Sequence, residues 1–499
     1  MNPMPAREPN DPDWVRSIRR GRPPSSMEEY LRGWEAFFDA YAAEVGQWHR
    51  RNEGYHQAIA TVAGFFVPPQ SRVLELGCGT GDLLAALRPS YGVGVDISGE
   101  MVRLMAERHP HLKGVKMPAE HVELPGEKFD YIVMSDLIGY LYDIRLVFER
   151  LRPVCRPGTR IVLGWYSRLW QPVLVLAEHL GLKYPQPLLN WTTAQDVSNL
   201  LYLAGFEVVR YRGHILLPKR MPWLTTLANR YLAHLPGFRW LCLTNWIVAR
   251  PVGLPADSGA PRVSVICPCR NEAGNIRSVA QRLPAMGAHR ELIFVEGHST
   301  DETLDECRRA AAARPDGEIK VLTQTGTGKA DAVRLGFSHA SGDVLMILDA
   351  DLSVAPEDLP QFYGALVSRK GEFINGSRLV YALDSHAMRF FNLLGNKTFA
   401  FVLSSLLGQP LKDTLCGTKV LWREDYERIA AGRSYFGDFD PFGDFDLLFG
   451  AAKLNLKIME VAVRYRQRTY GKTNISRFAH GWLLLRMSTR AVRTLFFIG

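Results

Sequence analysis

The sequence predicts an α/β protein built of two domains. A strand followed by a helix recurs from Arg72 to about residue 165, and the same alternation begins again after residue 261. Strands that alternate with helices imply parallel, doubly wound sheets. Between the two series, the stretch PVGLPADSGAP is rich in Pro, Gly, Ala and Ser, as linkers are. We therefore expect a mobile tail over 1–26, a domain over 27–250, a linker over 251–261, a second domain over 262–480 and an amphipathic helix over 481–499.

Composition narrows the class of protein and of partner. The chain of 499 residues is 47% hydrophobic and 22% charged, which suits globular domains with real cores. The net charge of +9 favours anionic partners, but no Lys/Arg run with interleaved aromatics is present, so we expect no nucleic acid. The seven cysteines are scattered without a C-x-x-C pair, which argues against zinc ribbons and fits a reducing cytosol.

Neither end of the chain predicts a membrane span. The N-terminus is polar and Pro-rich and has no apolar core of a secretory signal. No uncharged apolar run of about 18 residues occurs, so we expect no transmembrane helix.

The first predicted helices, from Met27 to about Gln70, carry aromatic side chains at helical spacing. Such a stripe is typical of a helix face that packs on a core. Its members are Tyr30, Trp34, Phe37, Phe38, Tyr41, Trp48 and Tyr55.

The segment VLELGCGTGDLLAAL places three glycines where a buried strand turns into a helix. Gly77, Gly79 and Gly81 allow a tight turn and let backbone N–H groups approach a ligand closely. Asp96 ends the next strand, where a carboxylate can accept hydrogen bonds from ribose hydroxyls. This arrangement predicts a nucleotide-like cofactor at the glycine loop.

Two cofactor classes compete for such a loop. The dinucleotide fingerprint G-x-G-x-x-G requires its third glycine at position 82, which is Asp82. The spacing here is G-x-G-x-G, preceded by the acid Glu75. Residues 35–250 therefore resemble the class I S-adenosylmethionine-dependent methyltransferases, which have a Rossmann-like fold. A relic of that fold without a cofactor is the remaining alternative.

The methyltransferase resemblance implies a set of cofactor contacts. Ile97 would meet the adenine, and Pro118 replaces an Asp that the family often has there, so Glu120 or a backbone carbonyl would substitute. Ser135 and Asp136 close the fourth strand at the lip of the pocket. The residues implied to bind S-adenosylmethionine are Glu75, Gly77, Cys78, Gly79, Gly81, Asp96, Ile97, Glu120 and Ser135.

The lid and the methyl acceptor are less constrained. The stretch YAAEVGQWHRRNEGYH resembles the family's lid helix, with Tyr41, Arg51 and Tyr55 as contacts. A neutral hydroxyl acceptor would need a base. The available histidines are His56, His109, His111 and His121, and each alone is more typical of a surface or packing histidine.

The segment LMILDADLSV predicts a metal site in the second domain. Asp349 and Asp351 follow a buried apolar strand. Residues i and i+2 of a strand point the same way, so the two carboxylates repel each other unless a cation lies between them. Hard oxygen ligands suit Mg²⁺ or Mn²⁺ bridging the phosphates of a nucleotide sugar. A D-x-D alone is common by chance, so the surrounding motifs carry weight.

Four further motifs surround the D-x-D in a fixed order. They are Asn271-Glu272 after a first strand, Ser299-Thr300-Asp301 capping a helix, Lys329 in a glycine-bearing loop, and Gly376-Ser377-Arg378 after a later strand. Together the five resemble family-2 glycosyltransferases of GT-A fold over about 262–480, and most closely polyprenyl- and dolichyl-phosphate sugar synthases. The segment GTGK is not a Walker A loop, because position 323 is Thr and position 330 is Ala.

The glycosyltransferase resemblance implies how the nucleotide sugar binds. Two departures from the family are Gly297, where a second acid is usual, and Arg270, where a Tyr often lies. Asp349 and Asp351 would hold the metal, Arg378 would lie near the sugar or acceptor phosphate, and Arg468 and Lys472 would neutralise diphosphate or acceptor phosphate. The implied nucleotide-sugar contacts are Pro268, Arg270, Asn271, Glu272, Glu296, Lys329, Asp349, Ala350 and Asp351.

The expected reaction is a single displacement with inversion. A phosphate acceptor is already an anion, whereas a hydroxyl acceptor needs a carboxylate base. Asp444, in GDFDPFGDFDLL, lies where related enzymes carry that Asp. The alternative is that these acids favour the start of a helix. The catalytic residues implied are Asp444, Arg378, Arg468 and Lys472.

Two apolar segments suggest a peripheral membrane contact. Residues 388–411 carry only Arg389 and Lys397 as charges and are too interrupted to span, so they form a buried core helix or an amphipathic one. The segment HGWLLLRMSTRAVRTLFFIG fits a helix lying in a membrane interface. We expect a cytoplasmic protein that contacts the inner face of the membrane peripherally.

These observations favour a bifunctional transferase that acts on a polyprenyl phosphate or another lipid-linked acceptor and methylates a related glycan or lipid. Two alternatives remain open at this point. The glycosyltransferase would act on a soluble hydroxyl acceptor, or the N-terminal domain would be a binding module without catalysis.

Overall fold

The computed structural model describes residues 26–186, 189–219, 221, 223–235, 237–254, 259–314, 318–381, 390–433, 443–466, 470, 486, 489 and 492. The chain divides into two compact units, with the division between Ala256 and Asp257. This point lies inside the linker expected over 251–261. The strand before it extends through Pro251, one residue into that stretch.

Unit 1 contains a seven-stranded mixed sheet of order β3-β2-β1-β4-β5-β7-β6. The first five strands in this order run parallel, and β7 is antiparallel to both of its neighbours. The strands are β1 (Arg72–Leu76), β2 (Tyr91–Asp96), β3 (Lys113–Lys116), β4 (Phe129–Ser135), β5 (Cys155–Tyr166), β6 (Phe206–His214) and β7 (Thr244–Pro251).

Helices cover the sheet of unit 1, as the alternation of strands and helices predicts. The insertion between β6 and β7, the last two strands of unit 1, is formed by short helical turns over Leu224–Thr226, Leu227–Tyr231, Leu232–His234 and Phe238–Leu241. The helices are α1 (Met27–Ala42), α2 (Val45–Arg51), α3 (Glu53–Phe66), α4 (Asp82–Ala86), α5 (Gly99–Arg108), α6 (Ile144–Leu151), α7 (Gln171–His179) and α8 (Ala194–Leu203).

The core of unit 1 explains why its central strands are apolar. Val73, Leu74 and Leu76 of β1 are fully buried, since helices lie on both faces of the parallel part of the sheet. Part of the aromatic stripe of α1 is buried. Tyr30 and Trp34 are buried in a small cluster, with Trp34 edge-on to Tyr140 at 4.9 Å between ring centroids. Through this contact the stripe packs helix α1 against the carboxyl edge of the sheet.

Unit 2 contains a second seven-stranded mixed sheet, of order β10-β9-β8-β11-β13-β12-β14. Only β13 is antiparallel to its neighbours among the pairs described. The strands are β8 (Val263–Cys269), β9 (Arg290–Glu296), β10 (Ile319–Thr323), β11 (Val344–Ile347), β12 (Phe373–Ser377), β13 (Lys419–Trp422) and β14 (Ile458–Ala462). The helices are α9 (Ala273–Arg282), α10 (Thr303–Ala312), α11 (Lys329–His339), α12 (Leu359–Val367), α13 (Phe390–Leu407), α14 (Arg423–Ala431) and α15 (Asp444–Lys453).

Both units are α/β domains, as predicted, and each brings its loops to the carboxyl edge of parallel strands. In open sheets of this kind, ligands bind at that edge where the strand order reverses. In unit 1 the reversal lies between β1 and β4, and in unit 2 it lies between β8 and β11. The sites predicted from the sequence follow these strands.

Two further features bear on the chain as a whole. All seven cysteines are free thiols and all are buried. Among the described residues, none of the helices is both long and apolar enough to cross a membrane. Helix α13 covers most of the apolar segment 388–411, whereas most of the segment 481–499 lies outside the described residues.

Candidate functional sites in the two units

The glycine loop after β1 adopts a conformation that requires glycine. Gly77, Gly79 and Gly81 have φ angles of 69°, 51° and 75°, in the left-handed region. A Cβ on Gly77 would lie 2.9 Å from Leu137 Cδ1, and one on Gly81 would lie 2.6 Å from Met105 Cγ. A Cβ on Gly79 would meet no described atom within 4 Å and would enter the cavity that this residue lines. The loop therefore keeps space open for a ligand at Gly79.

Asp96, at the end of β2, fixes the glycine loop from below. Its carboxylate accepts hydrogen bonds from the N–H groups of Gly79 at 2.8 Å and Ser98 at 2.9 Å. Burial raises the pKa of this carboxyl. Asp96 lines the cavity, as the predicted ribose contact requires, and it also ties the loop to the second strand.

Glu75 contributes a buried carboxyl to the same cavity. Burial raises its pKa well above the ordinary value. Among the described residues, Glu75 Oε2 has no hydrogen-bond partner. A buried acceptor of this kind is costly unless a ligand satisfies it. A carboxyl oxygen without a partner beside an open glycine loop fits the ammonium group in the amino-acid part of S-adenosylmethionine.

The cavity at the carboxyl edge of unit 1 has a volume of about 880 Å³. This lies in the range of pockets that hold a cofactor together with a small substrate. Gly81 of the predicted set is not in the lining, and Arg51 of the predicted lid is also absent, whereas Tyr41 and Tyr55 are present. The predicted cofactor residues that line it are Glu75, Gly77, Cys78, Gly79, Asp96, Ile97, Glu120 and Ser135.

The remaining sequence features of this half have structural explanations. Asp82, in place of a third glycine, bonds to His109 Nε2 at 2.9 Å and pairs with Arg108. His109 is thus a hydrogen-bond partner of Asp82, while His111 and His121 are exposed. Glu120, two residues after Pro118, is buried in the cavity wall and accepts the N–H of Tyr142 at 2.8 Å.

His56 lies in the cavity wall but is poorly suited to bind a proton. Burial, together with the charge of His49, lowers its pKa to about 4. A base with so low a pKa is neutral at pH 7 and weak, so His56 is a poor choice for a general base.

A carboxyl at the end of β4 is better suited to accept a proton. Tyr55 donates its hydroxyl to Asp136 Oδ2 at 2.7 Å, and Tyr55 stacks on Tyr166 at 5.8 Å between ring centroids. Among the described residues, Asp136 Oδ1 has no hydrogen-bond partner. Burial raises the pKa of Asp136 to about 6, against the opposing effects of the Tyr55 hydrogen bond and the charge of Lys183. The sequence predicts Asp136 at the lip of the pocket. Its hydrogen bond to Tyr55 joins residues that are 81 positions apart, so no local pattern in the sequence predicts that contact.

In unit 2, Asp349 forms an ion pair with Lys329 from the neighbouring loop. Lys329 Nζ lies 2.6 Å from Asp349 Oδ1. Gly417 closes over the pair, since a Cβ there would lie 2.5 Å from Lys329 Nζ and 2.7 Å from Asp349 Cγ. Lys329 and Asp349 were predicted together as nucleotide-sugar contacts, whereas Gly417 was not.

The D-x-D pair has the donors that a divalent ion needs from the protein. Asp351 Oδ1 accepts the N–H of Ser353 at 3.0 Å, which fixes the second carboxylate. The described residues contain no group of three or more His, Cys, Asp or Glu side chains placed to hold a metal. Mg²⁺ is commonly held by one or two carboxylates with substrate phosphates and water. Asp349 and Asp351 therefore fit a metal that arrives with a nucleotide diphosphate.

The predicted nucleotide-binding residues form a tied pair of loops after β8 and β9. Asn271, with φ of 56°, donates its N–H to Ser299 Oγ at 3.0 Å and accepts the N–H of Thr300 at 2.8 Å. Glu296 accepts the N–H of Ser299 at 2.5 Å, and Glu272 is buried and accepts from Asn275. These contacts shape the loop after β8, which begins at Arg270. Pro268 belongs to β8 itself.

Helix α10 begins at Thr303, and Asp301 accepts the N–H of that residue at 3.0 Å. Asp301 thus bonds to the first N–H of the helix from the position before the N-cap, Glu302, whose own side chain makes no capping hydrogen bond. Its second oxygen accepts the hydroxyl of Tyr470 at 3.3 Å, and the Tyr470 ring covers Gly274. Tyr470, which lies between Arg468 and Lys472 in the sequence, therefore contacts the loop after β9 and the start of α9.

Arg378 is held in a bidentate ion pair rather than presented to an open site. Its Nε and Nη2 lie 2.7 and 2.9 Å from the oxygens of Asp413, which is fully buried. Its ring neighbour is Tyr465, at 5.1 Å from the guanidinium carbon. Asp413 has no sequence motif around it and was not predicted. Asp413 therefore holds Arg378 in position, and the sequence did not predict this contact.

Three predicted residues cannot be placed in the same way. Arg468 and Lys472 lie outside the described residues. Asp444 is the first residue of α15, but its side chain is not among those described. Their roles stay predictions.

Comparison with known proteins supports both halves. Residues 47–211 match the family model "Methyltransferase domain", and residues 264–429 match the family model "Glycosyl transferase family 2". A dolichol-phosphate mannosyltransferase of Pyrococcus furiosus is 30% identical over 173 residues, covering 34% of this chain and 48% of the relative. An undecaprenyl-phosphate 4-deoxy-4-formamido-L-arabinose transferase of Klebsiella pneumoniae is 32% identical over 104 residues, covering 20% and 32%. The chain spans less than half the length of these curated relatives.

Solved structures similar to each unit have low sequence identity. A SAM-dependent methyltransferase of Thermotoga maritima, a possible histamine N-methyltransferase, is 18% identical with a TM-score of 0.35, covering 43% of this chain and 97% of that one. Glucosyl-3-phosphoglycerate synthase of Mycobacterium tuberculosis, solved with Mn²⁺, UDP and glucosyl-3-phosphoglycerate, is 19% identical with a TM-score of 0.35, covering 47% and 80%. The two family-model matches, and not these structures, indicate a methyltransferase domain over residues 47–211 followed by a family 2 glycosyltransferase domain over residues 264–429.

Proposed function

We propose that this chain is a bifunctional transferase. Unit 2 transfers a sugar from a nucleotide sugar to a polyprenyl phosphate or another lipid-linked acceptor, with inversion. Unit 1 transfers a methyl group from S-adenosylmethionine to a glycan or lipid-related acceptor. The observation that carries the first activity is the Asp349–Lys329 pair at the carboxyl edge of the sheet. The observation that carries the second is the glycine loop beside the unsatisfied carboxyl of Glu75.

Sugar transfer requires that the leaving nucleotide diphosphate be neutralised. A divalent ion held by Asp349 and Asp351 would supply Lewis-acid stabilisation of that diphosphate. Lys329 would donate to a phosphate oxygen once it leaves Asp349, and the loops that contain Asn271 and Glu272 would contact the nucleotide. The relatives of this unit are named as an undecaprenyl-phosphate sugar transferase and a dolichol-phosphate mannosyltransferase, which favours a phosphate acceptor. Such an acceptor attacks as an anion and needs no base.

A nucleotide-sugar panel with polyprenyl phosphate and Mg²⁺ or Mn²⁺, read by mass spectrometry of the lipid, tests this activity. A sugar phosphate lipid formed from one donor supports the proposal. Transfer only to a soluble hydroxyl acceptor would replace it with the alternative acceptor class. In that case Asp444→Asn should abolish transfer, because a neutral hydroxyl needs a carboxylate base, whereas a phosphate acceptor tolerates the change.

Methyl transfer needs the acceptor and the cofactor to share one cavity. The cofactor end is formed by Glu75, Gly79 and Asp96, and the far wall is apolar and aromatic. Asp136 lines the same cavity, and its Oδ1 has no hydrogen-bond partner among the described residues, so it would take a proton from a neutral acceptor hydroxyl. Calorimetry with S-adenosylmethionine tests the cofactor assignment directly. Absence of binding would leave unit 1 as a binding module without this catalysis.

Replacing Asp136 by asparagine is expected to lower the kcat/KM of methyl transfer about 100- to 10,000-fold, the usual contribution of a general base. Because burial raises the pKa of Asp136 to about 6, the base form fills as pH rises through 6. The wild-type rate should therefore be low at pH 5, rise through pH 6 and level off above pH 7. The measurement is a pH profile of kcat/KM.

Two variants control this experiment. Tyr55→Phe removes a hydrogen bond that lowers the pKa of Asp136, so the inflection should move to higher pH. Glu123→Gln removes an exposed carboxyl and should leave the profile unchanged. An Asp136→Asn enzyme that keeps the wild-type rate and inflection would show that another group takes the proton.

A further inference from the structure

Unit 1 exposes an apolar helix next to its cavity. Every residue of α7 is at least partly exposed, although the helix reads QPVLVLAEH. Leu176 is 57% exposed, and Leu169 and Leu180 at its ends are exposed to a similar degree. A helix of a soluble domain normally buries such a face in the core. This one does not, so its apolar side chains need another environment.

A second apolar element adjoins the first. The insertion between β6 and β7 exposes two large indoles, with Trp223 76% and Trp240 60% exposed. Trp170, at the start of α7, donates its indole N–H to the carbonyl oxygen of Leu241 at 2.8 Å. The two elements therefore form one surface, defined as residues 169–182 and the described residues of 221–241, and called here the apolar rim.

The insertion between β6 and β7 carries basic residues and no acidic residue. From Ile215 to Leu243 the sequence contains four Lys and Arg residues and no Asp or Glu. Lys219, Arg230 and Arg239 are exposed beside the rim. None of these three has an acidic partner among the described residues. A surface that combines exposed tryptophans with basic side chains that have no acidic partner among the described residues complements the interface of an anionic bilayer.

The apolar rim continues into the cavity. Trp170, Val173 and Ala177 belong to the rim and line the cavity, and Lys219 lines it from the insertion. Val173 is also exposed, so one side chain faces both the solvent and the interior. An amphiphile held in a bilayer against the rim could enter the acceptor end of the cavity without leaving the apolar environment.

We propose that the apolar rim binds the interfacial region of an anionic lipid bilayer and that unit 1 takes its methyl acceptor from that bilayer. The occupant of the rim is thus a lipid surface. The binding step does not depend on methyl transfer, whereas the delivery of the acceptor rests on the proposed function of unit 1.

Flotation of the full chain with vesicles tests the binding step. Wild-type chain should bind phosphatidylcholine vesicles containing phosphatidylglycerol more tightly than vesicles of phosphatidylcholine alone. The double variant Trp223→Ser/Trp240→Ser should bind the anionic vesicles about tenfold more weakly. Arg230→Gln and Arg239→Gln should each weaken binding to anionic vesicles about fivefold and leave binding to neutral vesicles unchanged.

A matched control lies on the other face of the same sheet. Helix α8 packs on one face of the sheet, where its Val197 and Leu201 lie in the same core cluster as Ile247 of β7. Trp246, the residue before Ile247, points to the opposite face and contacts Phe66 there. His234 of the insertion belongs to that opposite face through its contact with His214, which also contacts Phe66. The residue for the control is Tyr202 of α8, which is 79% exposed.

Tyr202→Ser should bind vesicles within about twofold of wild type, since it removes an exposed aromatic ring away from the rim. If the double tryptophan variant binds anionic vesicles as tightly as wild type, the proposal is wrong. Any vesicle binding then comes from other segments, such as 481–499. A thermal melt checks that each variant is folded, and the arginine variants replace the tryptophan variant if it is not. Failure of methyl transfer with intact vesicle binding would reject the proposed function and leave the docking surface standing.

Discussion

One methyl group added at Gly417 is expected to stop sugar transfer. The Cβ of alanine there would collide with the Asp349 carboxylate and with Lys329 Nζ, so both side chains must leave the positions they hold. A displacement of about 1 Å at a reacting centre costs on the order of 100-fold in rate. Because the proposed binding of the diphosphate and its metal depends on this pair, we expect kcat/KM for the nucleotide sugar to fall about 100-fold or more.

Gly364 in α12 is a matched control for this variant. A Cβ on Gly364 would meet no described atom within 4 Å. Gly364→Ala should therefore leave sugar transfer unchanged and stabilise the helix by about 0.5 to 1 kcal/mol. S-adenosylmethionine binding by the Gly417→Ala chain serves as a further control, since unit 1 carries that site. If Gly417→Ala retains sugar transfer within about threefold, Asp349 and Lys329 do not act in the geometry described here.

Removing the Asp413 carboxylate is expected to have the largest effect on stability. Asp413→Ala leaves the Arg378 guanidinium buried without its two charge-assisted hydrogen bonds. Loss of one partner of a buried ion pair costs about 3 to 5 kcal/mol. Asp413 also accepts the N–H groups of Arg378 and Leu415, so the loss extends to the loop itself. The measurement is urea denaturation, in which the transition of unit 2 should move to lower concentration and that of unit 1 should not.

The surface pair Arg282–Glu357 provides the comparison. Both partners are partly exposed, so Glu357→Ala should cost no more than about 1 kcal/mol. Equal urea midpoints for the two alanine variants would contradict the assignment of Asp413 as a buried partner.

A double variant separates the positioning role of Asp413 from the catalytic role predicted for Arg378. Arg378→Met/Asp413→Leu replaces the buried charges with apolar side chains of similar size, which can restore stability. If the fold returns and sugar transfer does not, Arg378 acts on a substrate phosphate as the sequence predicts. If both return, the guanidinium serves only to hold the loop.

Sequence predicted best those features that short contiguous motifs encode. Gly77 and Gly79 require a particular backbone, and Asp349 and Asp351 follow a fully apolar strand, so local spacing is enough to find them. The fold class also followed from local periodicity, because each strand and helix reads on its own. The predicted cofactor residues lie together because carboxyl ends of parallel strands share one edge of a sheet.

Features that join distant segments left no such signal. The Tyr55–Asp136 hydrogen bond and the closure of Gly417 over Asp349 depend on the path of the chain between them. Asp413 lies in the unremarkable segment LKDTLCG, so only the folded chain shows that it holds Arg378. The same reasoning explains Arg51, whose place in a lid-like segment did not bring it into the cavity wall.

The buried thiols give each unit an internal reporter of opening. Three cysteines lie in unit 1 and four in unit 2, and a thiol must reach solvent and ionise before an alkylating reagent can modify it. Under native conditions, labelling should therefore follow local opening rather than surface accessibility. Cys416 lies three residues after Asp413, so its labelling rate would record how firmly the Arg378 loop is closed. A mass spectrum of one labelled sample would then report local opening in each of the two units separately.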